Sequence, residues 1–521
     1  DFRSAIAQAE LEDRDQPAAY HRLGFAKTDG TGDVFIETTR PELLAACVAL
    51  VAHPDDERYQ PLFGTNVRTP LFDVEVPVLA HTLAQPDKGS GIAMICTFGD
   101  VTDIIWWREL DLPNRTIVGK DGRLLTETPE AITSEAGIAA YDELGGKTIF
   151  SAKKRIVEML QESGAMTDDP KPFTHAVKFF EKGDRPLEIV STRQWYIRNG
   201  ARDESLRSKL IELGQQLSWH PDFMRVRYEN WVGGLTGDWL VSRQRFFGVP
   251  IPVWYGLDEQ GERDYDRVIV PETAALPIDP TTDVPAGYTE AQRGVAGGFE
   301  AEADIFDTWA TSSLTPQLAG GWQRDPELWN LVAPFDLRPQ GQDIIRTWLF
   351  STMLRSALED NRAPWSDAAI SGFIVDPDRK KMSKSKGNVV TPADVLAQHG
   401  SDAVRYWAAS SRLGTDAAFD PQNPTQIKIG RRLAIKVLNA AKFVLSFPVT
   451  EGAEVTNAVD ASMLATLDGV IADATKALEA FDHARALEIT EQFFWPFCAD
   501  YLELVKERAY DQDNEGQASA A

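Results

Sequence analysis

Residues Lys380-Lys381-Met382-Ser383-Lys384-Ser385-Lys386-Gly387-Asn388 place four lysines within seven positions, with Arg379 immediately before them. Serines and a Gly-Asn pair separate the charges, and Met382 is the one bulky apolar side chain. A loop of this composition can close around a polyphosphate: ammonium groups act as mobile point charges on phosphate oxygens, while hydroxyls and backbone N–H groups add donors. A solvated basic run looks the same in isolation, so the flanking residues decide. An amphipathic helix is expected over 343–358 and a strand over 369–375. After the loop, Thr391 as N-cap, Pro392 in the first turn and Asp394 three residues beyond the cap open another helix. Strand, cationic loop and helix in this order read as the carboxyl-terminal half of a nucleotide-binding α/β unit.

The rest of the 521 residues has room for three or four domains. Composition is ordinary globular, 43% hydrophobic and 25% charged. No run of 18 apolar residues exists, so no transmembrane helix and no membrane partner are expected. The net charge of −26 argues against nucleic acid as a partner on bulk electrostatics, but phosphate binding needs only a local positive track. Cys47, Cys96 and Cys498 lie far apart and form no CxxC pair. No disulfide framework, no cysteine metal site and a reducing, cytoplasmic setting are therefore expected. The sequence opens on Asp1 with no signal-peptide pattern, and the expectation is a start inside a longer protein.

Periodicity divides the chain. Residues 1–174 read as β-rich: 33–39 and 91–97 are short apolar runs, and Val74, Val76 and Val78 alternate with polar or turn residues. A helix closes this region, with Ser151 as expected cap, Ala152, Ile156, Met159 and Leu160 on one face, and Gly164 as stop. Residues 175–420 are mixed and rich in Trp, Arg and Pro. Residues 421–521 are helical: Met463, Leu467, Val470, Ala474, Leu478 and Phe481 recur at three- and four-residue steps, and Pro496 is expected to kink the next helix.

Three further segments carry chemistry. Gly237-Asp238-Trp239-Leu240-Val241-Ser242-Arg243-Gln244 is an Arg- and aromatic-rich turn, able to stack bases or to fill a core. Asp304-Ile305-Phe306-Asp307-Thr308-Trp309-Ala310-Thr311-Ser312-Ser313 offers carboxylates and hydroxyls that suit an amine and a ribose, or caps and turns. Gly341-Gln342-Asp343-Ile344-Ile345-Arg346-Thr347-Trp348 opens a helix with small and polar residues, a place for a ribose or an anion.

In this order the segments resemble the class I aminoacyl-tRNA synthetases for aliphatic amino acids. The lysine loop matches the KMSKS signature letter for letter. Thr38-Thr39-Arg40-Pro41-Glu42, His53-Pro54-Asp55-Asp56-Glu57-Arg58-Tyr59 and Gly89-Ser90-Gly91 resemble the inserted editing domain, with Ser90 where the family has Thr. Residues Cys96–Asp103 and Glu181–Glu188 are most similar to the valyl type, and the isoleucyl type is second. The resemblance implies a multidomain α/β plus α protein: an editing domain over 1–174, the carboxyl-terminal part of a Rossmann-like catalytic domain over 175–420, and an incomplete helical anticodon-binding bundle over 421–521. It implies a monomer that uses ATP with Mg2+, valine and tRNA(Val). Lys381, Ser383, Lys384 and Ser385 would act on the triphosphate. Gly341, Gln342, Asp343, Asp307 and Trp309 would shape the ATP and adenylate site. Thr38, Thr39, Arg40 and Asp103 would edit mischarged threonyl-tRNA(Val). Two structural alternatives stay open: Asp103 as a helix-capping acid and Trp309 as core. No His-x-Gly-His occurs among the seven histidines, so the chain is expected not to activate valine by itself. An isoleucyl enzyme fragment and a non-catalytic tRNA-binding remnant are the other readings.

Overall fold

The strand β1 (Leu11–Lys27) is long enough, at 17 residues, to serve two neighbours in turn. Its first half pairs antiparallel with β7 (Lys171–Phe180), from Leu11↔Phe180 to Tyr20↔Lys171. Its second half pairs with β2 (Asp33–Thr38), from His21↔Thr38 to Ala26↔Asp33. The computed structural model describes residues 3–97, 99, 101–166, 168–382, 389, 391–420, 422–448, 451–511 and 513. They form two units: Asp1–Ile197 with Trp239–Asp307, and Arg198–Asp238 with Thr308–Ala521.

In the first unit the sheet continues through β3 (Cys47–Ala52), β4 (Asn66–Arg68), β5 (Glu75–Ala80) and β6 (Ile92–Cys96), in the spatial order β2-β1-β4-β5-β3-β6. Strand β3 is apolar at every position and buried along its whole length, as a strand covered on both faces must be. Leu23 and Phe25 face inward with Val34 and Ile36, so alternation sets which face of β2 meets the core. The helices α1 (Val101–Glu109), α2 (Glu135–Asp142) and α3 (Ile149–Glu162) follow. In α3 the buried side chains are Ala152, Ile156, Met159 and Leu160, the expected face, and Gly164 lies just beyond its end at φ 75°. The cap, however, is Thr148, whose hydroxyl accepts from the Ser151 amide; Ile149 and Phe150 extend the helix one turn upstream. Cys47 and Cys96 are 49 positions apart in the chain yet sit opposite each other across β3 and β6, both buried and both free thiols.

The second unit is built on parallel strands Phe335–Gly341, Trp365–Ser371 and Ser218–His220. The expected helix over 343–358 is three pieces: a 3-10 turn Gln342–Ile344, a π turn Ile345–Leu349 and an α-helix Phe350–Glu359. The helix after the lysine loop begins at Ala393; Pro392 takes the cap position and no side chain closes it, so Thr391 lies outside. Farther on, Thr425–Val444, Ala458–Glu479, His483–Pro496 and Leu502–Ala509 are α-helices, and a π turn follows Pro496 where its missing N–H interrupts the ladder. Asp460 fastens this region: buried at one helix start, it accepts from Arg508 Nη1 at 2.7 Å, Arg508 Nη2 at 2.6 Å and the Tyr501 hydroxyl at 3.0 Å.

Candidate active site

Ser383, Lys384 and Ser385 of the lysine loop lie outside the described residues. Its entry is described. Asp376 and Lys380 close a turn, with the Asp376 amide donating to Lys380 O and the Lys380 amide to the Asp376 carboxylate, and Arg379 takes φ 61° at its apex. Lys381 emerges from that turn with Nζ 5.1 Å from the Phe373 ring centroid. Gly341 ends a parallel strand, the edge at which α/β sheets receive ligands. A Cβ there would fall 2.6 Å from Asp343 Oδ1, so a side chain at 341 collides with the exposed carboxylate of the following turn. Gln342 is buried and donates to Asp416 Oδ1 at 3.0 Å; the same oxygen accepts from the Phe373 amide at 2.8 Å. Trp309 is half-buried in a helix, Thr308–Ser312, that Trp348 ties down through its indole N–H on Ser312 O.

The strand leading to Gly341 carries two polar side chains that sequence reasoning missed. Arg338 and Gln340 alternate onto the buried face, 6% and 8% exposed. Arg338 Nε and Nη2 and both amide atoms of Gln340 meet no partner among the described residues. The guanidinium lies 3.0 Å from the Trp348 centroid and 4.8 Å from that of Trp365. Burial lowers its pKa to about 9, which leaves it charged at neutral pH. Stacking offsets part of the desolvation cost but supplies no acceptor for the N–H groups. Arg338→Met is therefore expected to stabilise this chain by about 1–2 kcal/mol, read from the urea midpoint; a loss of similar size would show that the two rings satisfy the charge.

In the first unit Asp307 follows the strand pair Ser242–Arg243 and Ile305–Phe306. Its Oδ2 accepts from Arg243 Nη2 at 2.8 Å and from the Trp239 indole at 3.0 Å, and Arg243 Nη2 also meets Glu10 Oε2 at 2.7 Å. The two motifs that seemed separate in sequence are thus one buried ion-pair network.

A second polar cluster in this unit joins Thr38, Thr39, Arg40 and Asp103. Strand β2 ends at Thr38, Arg40 leads into a 3-10 helix Pro41–Ala46, and Lys153 of α3 donates to Thr39 O at 2.7 Å. Arg40 binds Glu42 Oε1 at 2.5 Å and Glu188 Oε2 at 2.7 Å. Burial works against its charge, but the two carboxylates outweigh that and hold its pKa above the ordinary value. Asp103 sits in the first turn of α1, 7% exposed, and accepts from the Gly99 amide at 2.7 Å, the geometry of a turn-closing acid. A Cβ on Gly99 would contact both Asp103 and Leu43, so the Asp103 turn packs on the 3-10 helix that follows Arg40. Burial, the neighbouring Cys47, and the charges of Asp103 and Glu42 together raise the Cys96 thiol well above its usual range. Glu42 Oε2 and His21 Nδ1 are buried here and meet no partner among the described residues. His21 stands opposite Thr38 in the strand pair, on the same inward face. Glu42 belongs to a quoted motif; His21 and Lys153 carried no local signal, because only the β1–β2 register and the packing of α3 bring them in.

The first 420 residues match the family model described as tRNA synthetases class I (I, L, M and V), and residues 460–521 match that of the anticodon-binding domain of tRNA ligase. Over its full length the chain is 73% identical to a valine--tRNA ligase of Leifsonia xyli subsp. xyli, 64% identical to one of Thermobifida fusca and 62% identical to one of Salinispora arenicola. It spans 60%, 59% and 61% of those relatives, respectively. The chain belongs to the class I tRNA synthetases of the isoleucine, leucine, methionine and valine group.

Proposed function

We propose that the chain is part of a valine–tRNA ligase, which joins valine to tRNA(Val) through an adenylate made from ATP and hydrolyses threonyl-tRNA(Val). The observation that carries this reading is the 73% identity along the whole chain to a protein of that name; similarity at this level favours the valyl over the isoleucyl assignment. Residues 1–174 would be the editing domain, 175–420 the carboxyl-terminal part of the catalytic domain and 421–521 part of the anticodon-binding bundle. Lys381, Ser383, Lys384 and Ser385 would neutralise charge on the α-phosphate and the departing pyrophosphate. Gly341, Gln342 and Asp343 would meet the ribose and adenine, while Asp307 and Trp309 would shape the adenylate pocket. Magnesium would arrive on the triphosphate oxygens of the substrate; among the described residues no cluster of three His, Cys, Asp or Glu side chains provides a separate cage.

Editing answers a physical limit: an apolar pocket sized for valine rejects isosteric threonine poorly, a limit for which the valyl enzyme is itself the standard illustration. Asp103 would hold the substrate ammonium, the Thr38 and Thr39 hydroxyls would orient water, and Arg40 would face the RNA end. Hydrolysis of threonyl-tRNA(Val) by this chain tests the reading. Asp103→Ala is expected to slow it at least about tenfold, the equivalent of losing one hydrogen bond to a charged group, about 1.5–3 kcal/mol. Equal rates would remove Asp103 from the site, and no hydrolysis by either protein would overturn the editing assignment.

A further inference from the structure

Cys47 and Cys96 face each other because strand β3 carries an extra residue. From Ala52↔Ile92 to Ala49↔Ile95 the β3–β6 pairing is regular, and the register then shifts so that Cys47 opposes Cys96. Without that shift Val48 would oppose Cys96, and Cys47 would lie on the other face of the sheet. With it, Val48 and Ala49 pack on one side with Val51 and Ile95, while Cys47 and Cys96 pack on the other with Leu50 and Ile92. Directly opposed residues of an antiparallel pair have Cα atoms about 4.5–5.5 Å apart, inside the range of about 4.4–6.8 Å that a disulfide spans. The two residues are 0% and 2% exposed, and their thiols are in hydrogen-bonding contact.

The pair sits where the two halves of the Arg40–Asp103 cluster meet. Cys47 closes the 3-10 helix Pro41–Ala46, its amide donating to Leu44 O, and Glu42 lies within that helix. Cys96 ends β6, and the hydroxyl of the next residue, Thr97, accepts from the Arg115 amide at 3.0 Å. The Arg115 guanidinium donates to Cys47 O, and its charge acts on both thiols. A cation beside a thiol favours the thiolate, the form that attacks an oxidant. The Asp103 and Glu42 carboxylates oppose this at Cys96. Cys47 is therefore the attacking sulfur and Cys96 the resolving one. Burial keeps out a bulky oxidant such as glutathione disulfide, whereas hydrogen peroxide is little larger than water.

We propose that Cys47 and Cys96 are a modification site, oxidised by a peroxide to a reversible disulfide that slows hydrolysis at the Arg40–Asp103 cluster. The Cys47 sulfur attacks one peroxide oxygen and the O–O bond breaks; the thiol proton leaves with the other oxygen as water, and a sulfenic acid remains. The Cys96 sulfur then displaces that oxygen, which takes the Cys96 proton and departs as a second water. The two thiols lose two electrons and the peroxide gains them. The new bond pulls the 3-10 helix that follows Arg40 toward the strand end that leads to Asp103, and a shift of about 1 Å in a positioned group can cost about 10²-fold in rate. The bond stands apart from the editing assignment; its effect on hydrolysis rests on it.

The test treats the 521-residue chain with hydrogen peroxide in the absence of denaturant, then unfolds it in urea with N-ethylmaleimide. The untreated chain should take three labels and the treated chain one, on Cys498, with dithiothreitol restoring all three. Glutathione disulfide in place of peroxide should leave three. Three labels after peroxide overturn the bond, as do lost labels that dithiothreitol does not return. Hydrolysis of threonyl-tRNA(Val) should fall at least about tenfold in the treated wild type, recover with dithiothreitol, and be insensitive to peroxide in Cys47→Ala. A one-label chain that hydrolyses as fast as the untreated one overturns the switch. No hydrolysis by the untreated chain overturns the editing assignment, while the label count still decides the bond.

Discussion

Arg243→Ala is expected to cost about 3–5 kcal/mol, the range for breaking a buried ion pair by removing one partner. The side chain is 2% exposed and holds four acceptors. Nη2 serves Glu10 and Asp307, while Nη1 donates to Leu240 O at 2.9 Å and Ser242 O at 3.0 Å. Truncation leaves the Asp307 carboxylate, itself 4% exposed, without its guanidinium partner although the Trp239 indole still donates to it, and leaves Glu10 without the shared cation. The segments joined here are far apart in sequence, so the loss should be local to their pairing. The Asp307 amide donates to Val241 O at 2.7 Å and the Val241 amide to Trp195 O at 2.9 Å. Their exchange protection should fall about 10²- to 4 × 10³-fold, since each 1.4 kcal/mol is a factor of ten. Arg243→Met with Asp307→Leu, which removes both ends of the more deeply buried pair, should recover most of the loss. Protection that falls less than about fivefold in the single variant would mean water already reaches these charges.

That network also shows what was legible in the sequence. Arg243 and Asp307 were each visible as motif residues, because arginine between aromatics and paired acids are unusual local patterns. Their contact was not visible: it depends on the strand pairing of Ser242–Arg243 with Ile305–Phe306, which no spacing reveals. The same holds for Cys47 and Cys96, whose separation suggested independence, and for His21, which reads as one residue of a polar strand until the β1–β2 register sets it opposite Thr38. Local patterns fared better. The α3 face and its glycine stop, the alternation of Val76 and Val78, and the break after Pro496 follow from periods of 3.6 and 2 and from a missing N–H. Helix starts were harder. Thr148 and Ser151 are both good caps, and the choice between them is decided by whether Ile149 and Phe150 continue the helix. The family's motif residues were likewise recognisable one by one, whereas Arg338 and Gln340 were not, since their interest lies wholly in burial without a partner.

His21 should make the chain acid-sensitive in a window set by its own titration. Burial, with the Lys153 ammonium nearby, lowers the imidazole pKa to about 4. The unfolded chain takes up a proton at this residue near pH 6.5, the folded chain only near pH 4. Between those values the unfolded state binds more protons, so stability falls as pH falls; above pH 6.5 both states are neutral at His21 and the effect is absent. The difference amounts to about 3 kcal/mol at most across the window. Glu188, whose carboxyl burial raises despite Arg40, contributes with the opposite sign, so the wild-type curve alone does not isolate the histidine. The comparison with His21→Gln does. The stability difference between pH 7 and pH 4.5, from urea unfolding, should be smaller in the variant by about 2 kcal/mol, and equal losses in both proteins would mean that the imidazole is hydrated. A neutral ring at working pH also keeps a lone pair, and His21 Nδ1 has no donor among the described residues although it is buried beside Thr38. Protonation would place a third cation beside Arg40, which Glu42 and Glu188 already hold, and Lys153, which donates to Thr39 O. Acid should therefore disturb this cluster before it unfolds the unit, and loss of exchange protection at Arg40, whose amide donates to Thr38 Oγ1 at 3.1 Å, should precede global unfolding as pH drops below 5 in the wild type and not in His21→Gln.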